Sequence, residues 1–325
     1  MKTSDLNFFI LFRVVIRTMN LKIAEKWLNL VRFYTFYSPF RKGKYRLYEM
    51  ALRSCQERPG KKVVPTSDGR KIYADLQTEM YDTVFFLGEY ERAITDLVRK
   101  IVYKNDVCLD VGANFGWYSS LFYSLGAGEV HAFEPVLPIF EQLRENFELV
   151  DSPANVFLNN FALGDDFKKT ELYISEGETY GFASISTHGK TPAQTFSAEI
   201  MPLDAYLNER KIEQVDFIKV DIEGAEMMFL KGAGSIFKQK RPPLIIMEMA
   251  LDTTKYFNYK PNDLVEYIGG QTGCDFFAIN ETNGMLVEIE GFTEDSRGAN
   301  VLCVPQNHFR ERLEKLKIKW AQNLS

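Results

Sequence analysis

Asp106–Trp117 reads DVCLDVGANFGW. Val107–Val111 is a short apolar run with one carboxylate, Asp110, set into it. The run breaks at Gly112-Ala-Asn-Phe-Gly116, and Trp117–Leu125 then has the spacing of a helix. A buried strand that turns on glycines into a helix predicts the start of a nucleotide-type βαβ unit. Glycine lets the backbone approach a ligand closely, and the new helix offers unpaired N–H groups to it. The same residues could also be no more than a tight strand-to-helix turn. The choice depends on whether later strand ends supply the other parts of a site.

Working outward, strand-like and helix-like segments alternate. Glu129–Phe133 predicts a second strand closing on Glu134-Pro135, and Pro138–Leu149 the helix after it. Asn155–Leu158, Val215–Val220 and Leu244–Glu248 predict further strands, with Ala225–Lys231 helical. Asp275–Ala278 and Asn300–Val304 are the last strand candidates. Thr170–Ile174 and Ser184–Ser186 read as an inserted hairpin around the turn Glu176–Gly181. Such alternation predicts a doubly wound α/β fold, a mostly parallel sheet with helices on both faces and ligands at the carboxyl ends of strands.

Upstream, Ile94, Leu97, Val98 and Ile101 fall on one helical face, and Glu91 at the head of that helix is favoured by its dipole. Lys61–Pro65 and Lys71–Leu76 flank Asp68-Gly69, a strong hairpin signal. Residues 1–60 read as a basic, aromatic-rich helical arm. Residues 61–305 read as one large domain with the hairpin 61–76 and the insertion 166–200, and 306–325 as a helical tail.

Charge separates arm from body. Residues 1–46 hold ten Lys/Arg against Asp5 and Glu25, a balance of +8; the whole chain is −5, so the remainder carries −13. An acidic body argues against nucleic acid as the main partner. Phe8–Ile16 is apolar but short and interrupted by Arg13, whereas a membrane-spanning helix needs about 20 apolar residues. Ile23, Ala24, Trp27, Leu28, Val31 and Tyr34 recur at helical spacing. That stripe predicts an arm that packs on the body or on a second subunit of a homodimer, or an interfacial helix on anionic lipid. Four scattered cysteines without a CxxC pair, two of them inside apolar runs, predict reduced thiols. That suits a cytoplasmic protein, with the arm as its one route to peripheral contact with the inner membrane face.

Three strand ends carry chemistry. The first is Gly112–Gly116. The second is Glu134, 24 residues after Asp110 and placed to accept both hydroxyls of a ribose. The third is Lys219 with Asp221, which two-residue spacing puts on one face of a strand, followed by Glu223 and Glu226. A dinucleotide fingerprint would want glycine at 114 and 117, where the chain has Asn114 and Trp117. The acidic ends at Asp110, Glu134, Asp221 and Glu223 would repel a phosphate. They suit S-adenosylmethionine, which has a ribose, an ammonium and a sulfonium but no phosphate.

At this point the residues carry a resemblance. DVGANFG (110–116), FEP (133–135), NFALGD (160–165), PLDAY (202–206), FIKVDIEGAE (217–226) and PPLIIMEM (242–249) resemble, in order, the blocks of the FkbM-type methyltransferases. These are S-adenosylmethionine-dependent O-methyltransferases with a seven-stranded-type sheet. The resemblance covers roughly residues 80–305. It implies that Asp110, Gly112, Ala113, Asn114 and Gly116 hold the methionine part and adenosine edge of the donor. It implies further that Glu134 holds the ribose, that Ala162 borders the adenine, and that Asp221 lies beside the transferred methyl. Glu91 and Pro135 complete the expected donor-binding set. The implied acceptor is a hydroxyl, commonly on a sugar of a glycan, glycolipid or natural product.

A hydroxyl is a poor nucleophile, so a base is wanted. Asp221 and Glu223 are the candidates, with His188 in reserve and Lys219 able to orient Asp221. Clustered carboxylates also suit a hard cation, so a divalent metal on Asp221 and Glu223 stays open. Against these stand plainer readings. Lys219 and Asp221 could be a structural ion pair, Glu223 and Glu226 first-turn carboxylates, and Tyr256, Phe257 and Tyr259 core cover rather than a sugar platform. Two rival functions remain at this stage. One is a nicotinamide-dependent sugar oxidoreductase or epimerase, and the other a non-catalytic, membrane-docked scaffold.

Overall fold

The computed structural model describes residues 21–55, 57–175, 183–187, 189–293, 296–306 and 310–314. The chain divides into two units, Met1–Tyr90 and Glu91–Ser325.

In the first unit, helix α1 (Leu21–Tyr37) buries Ala24, Leu28, Val31 and Thr35. Ile23 and Tyr34, expected on that stripe, are half-exposed; each lies one residue, roughly 100°, around the helix from the buried row. Thr35 Oγ1 donates to the Phe86 carbonyl at 2.6 Å, and Arg32 Nε to that of Phe85 at 2.8 Å. Those carbonyls belong near the end of α3 (Asp82–Leu87), which follows α2 (Lys44–Ser54) and the hairpin β1 (Lys61–Pro65) and β2 (Lys71–Asp75). The expected hairpin forms, pairing Lys61 with Asp75 through to Pro65 with Lys71, with Gly69 in the left-handed region at the turn. It falls in the first unit with the arm helices, not in the large domain where sequence reading put it. Val64, Ile72 and Ala74 on one face of it are buried.

The second unit begins with α4 (Arg92–Ile101), whose Ile94, Leu97, Val98 and Ile101 are buried as the spacing predicts. Strand β3 (Val107–Val111), helix α5 (Trp117–Ser124), strand β4 (Glu129–Phe133), helix α6 (Leu137–Glu148) and strand β5 (Val156–Asn159) follow. Short β6 (Ala162–Leu163), β7 (Lys168–Ser175) and β8 (Pro192–Met201) make a separate three-stranded sheet. This corrects the expected hairpin. Ser184 makes only an isolated bridge to Tyr173, and the partner of β7 is β8, whose apolar residues alternate in phase with it. The turn read at Glu176–Gly181 lies outside the described residues.

Helix α7 (Leu203–Arg210), strand β9 (Phe217–Val220), helix α8 (Glu226–Lys231), strand β10 (Leu244–Ala250), helix α9 (Pro261–Gln271), strands β11 (Cys274–Ile279), β12 (Leu286–Ile289) and β13 (Gly298–Pro305), and helix α10 (Arg310–Glu314) complete the unit. The large sheet has the order β12-β11-β13-β10-β9-β3-β4-β5. Pairing is parallel from β5 to β10, and β13 is antiparallel to both β10 and β11. The fold is therefore the doubly wound, mostly parallel sheet that the alternation predicts. The eighth strand, β12, sits at the edge and was not foreseen, because Leu286–Ile289 is too short to show a pattern. Chain order reverses at β3, which has β4 on one side and β9 on the other. In an open α/β sheet such a switch point opens the crevice in which ligands bind.

The two faces of this sheet differ in chemistry. Leu109, Val111, Phe133, Ile218, Val220, Ile245 and Met247 pack with residues of α7, α8 and α9 in one apolar core. The alternate residues, Asp110 and Lys219 among them, face α5: Ser119 bonds Asp110, and the Tyr118 ring lies by Lys219. Of the tail expected at 306–325, Arg310–Glu314 is described and is helical. Among the described residues no helix is long and apolar enough to cross a membrane.

Arg312 anchors α10. Its two guanidinium nitrogens donate to the Asp106 carboxylate at 2.6 and 2.9 Å, and one also to the Ile101 carbonyl. Both side chains are buried. Removing one partner of a buried pair leaves an uncompensated charge, so Arg312→Ala should cost about 3–5 kcal/mol. Urea denaturation measures this; a loss below about 1 kcal/mol would mean that the pair contributes no more than a surface contact.

Candidate functional site

Register places the site. Phe133, Val111, Val220, Met247 and Val301 are paired across five adjacent strands. One residue beyond that row stand Glu134, Gly112, Asp221, Glu248 and Asn300, the last two directly paired. Side chains alternate along a strand and match across it. Glu134, Asp221, Glu248 and Asn300 therefore lie on the face that also carries Asp110 and Lys219. At about 4.8 Å per strand, Glu134 is one strand from Gly112 on one side. Asp221, Glu248 and Asn300 are one, two and three strands away on the other.

The turn is held by the carboxylates on either side of it. Glu134 Oε2 accepts from Asn114 N at 3.0 Å, and Oε1 from Val136 N at 2.8 Å. Asp110 Oδ2 accepts from Ser119 N at 2.7 Å and from the Ser119 hydroxyl, tying β3 to the first turn of α5. The remaining amides are also taken. Gly112 and Ala113 donate to the Phe133 carbonyl, Phe115 to Asn114 Oδ1, and Gly116 to the Ala113 carbonyl. A pyrophosphate cradle needs those N–H groups free. Here five successive amides, 112 to 116, and that of Ser119 are already paired.

Gly112 has φ of 81°, and a Cβ there would stand 1.9 Å from the Asp221 carbonyl oxygen. Only glycine lets β3 leave the sheet against the end of β9. Gly116 has φ of 86°, and its Cβ would meet Leu143 at 2.5 Å. Asn114 sits at φ of 50°, a conformation asparagine tolerates better than most residues.

Burial raises the Glu134 carboxyl to about 7, against the two backbone hydrogen bonds that lower it. Burial likewise raises Asp110 to about 6. Lys219 lies on the same face, and its side chain is 1% exposed against 31% for Asp221, whose Oδ2 accepts from Nζ at 3.0 Å. Burial alone would push the ammonium down; Asp221, Glu91 and Glu248 outweigh it and hold Lys219 above its ordinary range. Glu91 Oε2 accepts from the Tyr118 hydroxyl at 2.6 Å, and burial raises its carboxyl. One buried cation thus stands among several carboxylates, and Asp221 is the solvent-reachable member of the pair.

The other expected residues divide. Pro135 and Glu134 give their carbonyls to Asn160 Nδ2. Ala162 lies in β6, paired with Ile200. Glu223 occupies the turn after β9 at φ of 53°, its carbonyl accepting from the Ser184 hydroxyl at 3.0 Å. Glu226 is buried. Its carboxylate accepts from Gly224 N at 3.1 Å and from the Tyr259 hydroxyl at 2.9 Å, so it secures the start of its own helix, as the plainer reading had it. Tyr259 is thereby fixed to the turn, and Phe257 packs where a Gly224 Cβ would go. Tyr256 is partly exposed. His188 lies outside the described residues. Among those residues no group of three or more His, Cys, Asp or Glu is placed to hold a metal ion, so Asp221 and Glu223 have no third such ligand.

Ser119, Tyr118, Asn160, Glu248 and Asn300 were missed by sequence reading. For Glu248 a signal existed: it interrupts an apolar strand near its carboxyl end, as Asp221 follows β9. The site fits S-adenosylmethionine on its own observations. It has a Cβ-free approach at Gly112, the Glu134 carboxyl group one strand away, and further carboxylates nearby that suit a cation.

The family described as "Methyltransferase FkbM domain" matches residues 110–278. A curated relative, the hexuronic acid methyltransferase AglP of Haloferax volcanii, is 27% identical over 142 residues, which are 44% of this chain and 56% of that protein. The match thus spans little more than half the relative's length. Among solved structures, precorrin-6y C5,15-methyltransferase from Geobacter metallireducens aligns with a TM-score of 0.34 and 13% identity, over 66% of this chain and 86% of that one. M. jannaschii TYW2 in complex with AdoMet aligns with a TM-score of 0.38 and 12% identity, over 76% and 85%.

The raised Glu134 carboxyl sets a pH dependence. Its ordinary value is 4.5 and its folded value about 7, so between these the folded chain keeps a proton the unfolded chain has lost. The stability contributed by this group is fully present below about pH 4.5 and falls as pH rises through about 7. Glutamine does not titrate. The melting temperature of Glu134→Gln minus that of wild type, both without ligand, should therefore increase from pH 5 to pH 8. A flat or falling difference would show that Glu134 is not held as this geometry requires.

Proposed function

The chain belongs to the FkbM methyltransferase family, and on that premise we propose that it is an S-adenosylmethionine-dependent O-methyltransferase acting on a sugar hydroxyl. The sugar would be part of a glycan, a glycolipid or a natural product. The observation that carries the choice of donor is the hydrogen bonding of the 112–116 turn. Its amides are paired within the protein and its neighbours are acidic, which disfavours a dinucleotide phosphate and favours a cation. The same observation counts against the nicotinamide-dependent alternative. The relative named a hexuronic acid methyltransferase supports a sugar as the class of acceptor, and the acid group in that name is not carried to this chain.

When bound, S-adenosylmethionine supplies an electrophilic methyl group on a sulfonium. Glu134 would accept the ribose hydroxyls with the lone pairs that Asn114 and Val136 leave unused. Gly112 would lie under the methionine part, where no side chain intervenes. Asp221, one strand further, faces the place where the methyl is transferred and would take the proton of the acceptor hydroxyl. Lys219 keeps the Asp221 carboxylate oriented through the 3.0 Å contact, and its ammonium, held protonated by the carboxylates around it, has no lone pair with which to take that proton. Positioning of the two reactants does the rest of the work, as a good leaving group allows. Glu223, tied to the turn through its backbone, is the second candidate for the base.

Calorimetry with S-adenosylhomocysteine should give saturable binding, and NAD none. Glu134→Ala should weaken that binding at least tenfold. Asp221→Ala should leave it within about threefold while methyl transfer from labelled donor to sugar acceptors falls by about 10²-fold or more. NAD binding in place of S-adenosylhomocysteine would overturn the donor reading. Full turnover in Asp221→Ala would remove that residue as the base.

A further inference from the structure

Beyond Asp221 the strand-end row continues over β10 and β13, a stretch to which neither donor nor base has been assigned. Glu248 and Asn300 are direct cross-strand partners there. Asn300 is 6% exposed, and its Nδ2 donates to Glu281 Oε1 at 3.0 Å. That bond fixes which way the amide is turned and leaves Oδ1 buried with no hydrogen-bond partner among the described residues. Buried acceptors are nearly always paired, so one left open on the face of a candidate site asks for a ligand donor.

We propose that Glu248 and Asn300, with Glu281 holding the amide, form a subsite for neutral hydroxyl groups of the acceptor beside Asp221. The inference rests on the methyltransferase reading and deepens it by naming the part of the acceptor that is recognised.

Position supports it. Glu248 is one strand and Asn300 two strands from Asp221, about 5 and 10 Å, on the side away from Glu134. A donor with its ribose on Glu134 and its methyl near Asp221 leaves that side free. A sugar ring that presents one hydroxyl to Asp221 can reach Glu248 and Asn300 with its neighbouring ones.

Chemistry supports it too. The subsite offers acceptors, an amide oxygen and carboxyl oxygens, and sugar hydroxyls are donors that match them. Asp221 and Glu281 stand beside the subsite, and the single buried Lys219 is already paired with Asp221. A carboxylate or phosphate on the acceptor would meet that field unpaired. Burial first, then the Asp221 charge, raises the Glu248 carboxyl to about 8. Near neutrality it keeps a proton and can donate to a sugar oxygen as well as accept.

Saturation-transfer NMR on the full chain loaded with S-adenosylhomocysteine tests this, using octyl glucoside, octyl galactoside and octyl glucuronide. The expected result is transfer to ring protons of at least one neutral glycoside, with at least tenfold weaker binding of the glucuronide. Asn300→Leu should weaken the neutral glycoside at least tenfold and leave S-adenosylhomocysteine affinity within twofold. Asn300→Ser, smaller and less disruptive, should behave alike, and melting curves identify any variant that has not folded. The subsite is overturned if loaded wild type binds neither neutral glycoside, if it prefers the glucuronide, or if folded Asn300 variants bind as wild type does. Failure of wild type to load S-adenosylhomocysteine would instead overturn the methyltransferase reading on which the subsite rests.

Discussion

Glu134 Oε2 holds the amide of Asn114 at 3.0 Å, and the arrangement of the site depends on that bond. It draws the glycine turn toward β4 and gives the Asn114 N–H a protein partner, while Asp110 does the same for Ser119 at the start of α5. A turn of this shape elsewhere presents free N–H groups to a phosphate. Here internal acceptors have taken the phosphate's place, so the crevice at the switch point is accepting and negative rather than donating and positive. Both carboxyls are buried on the sheet face that also carries Lys219, and both are pushed up in consequence. A cationic ligand is the natural complement of such a surface.

The second dependence is register. Five adjacent strands end in step, so residues separated by as much as 188 positions in the chain (300 − 112), Gly112 and Asn300, come to stand in one line. Gly112 makes the line continuous, because only a residue without Cβ can pass the Asp221 carbonyl at that distance. Lys219 is the counter-charge behind the line. With its ammonium in contact with Asp221 at 3.0 Å and Glu91 and Glu248 nearby, it stabilises a set of carboxylates that would otherwise repel one another. The same crowding separates roles: Asp221 reaches solvent, whereas Glu226 is buried and spends its oxygens on Gly224 and Tyr259.

Much of this was legible in the sequence where it is local. The strands Val107–Val111 and Glu129–Phe133 form at the expected bounds because apolar runs flanked by turns encode them directly. Lys219 and Asp221 meet as two-residue spacing requires. What was not legible depends on partners far along the chain. β7 pairs with β8 across an insertion whose loop hides the match, and the hairpin at 61–75 joins the arm's unit. Glu248 gains meaning only when Asn300 is known to face it, and a strand running back from the end of the chain supplies that residue. Ser119 and Tyr118 read as ordinary helix residues until the helix is laid against β3 and β9.

The central claim is that the row is read from ribose to acceptor, Glu134 through Gly112 and Asp221 toward Glu248. A crystal structure of the full chain with S-adenosylhomocysteine tests it most directly. The account predicts both ribose hydroxyls on the Glu134 carboxylate and the sulfur between Gly112 and Asp221, with the crevice over Glu248 and Asn300 left clear. A ribose held elsewhere, or a sulfur on the β5 side of Glu134, would contradict it.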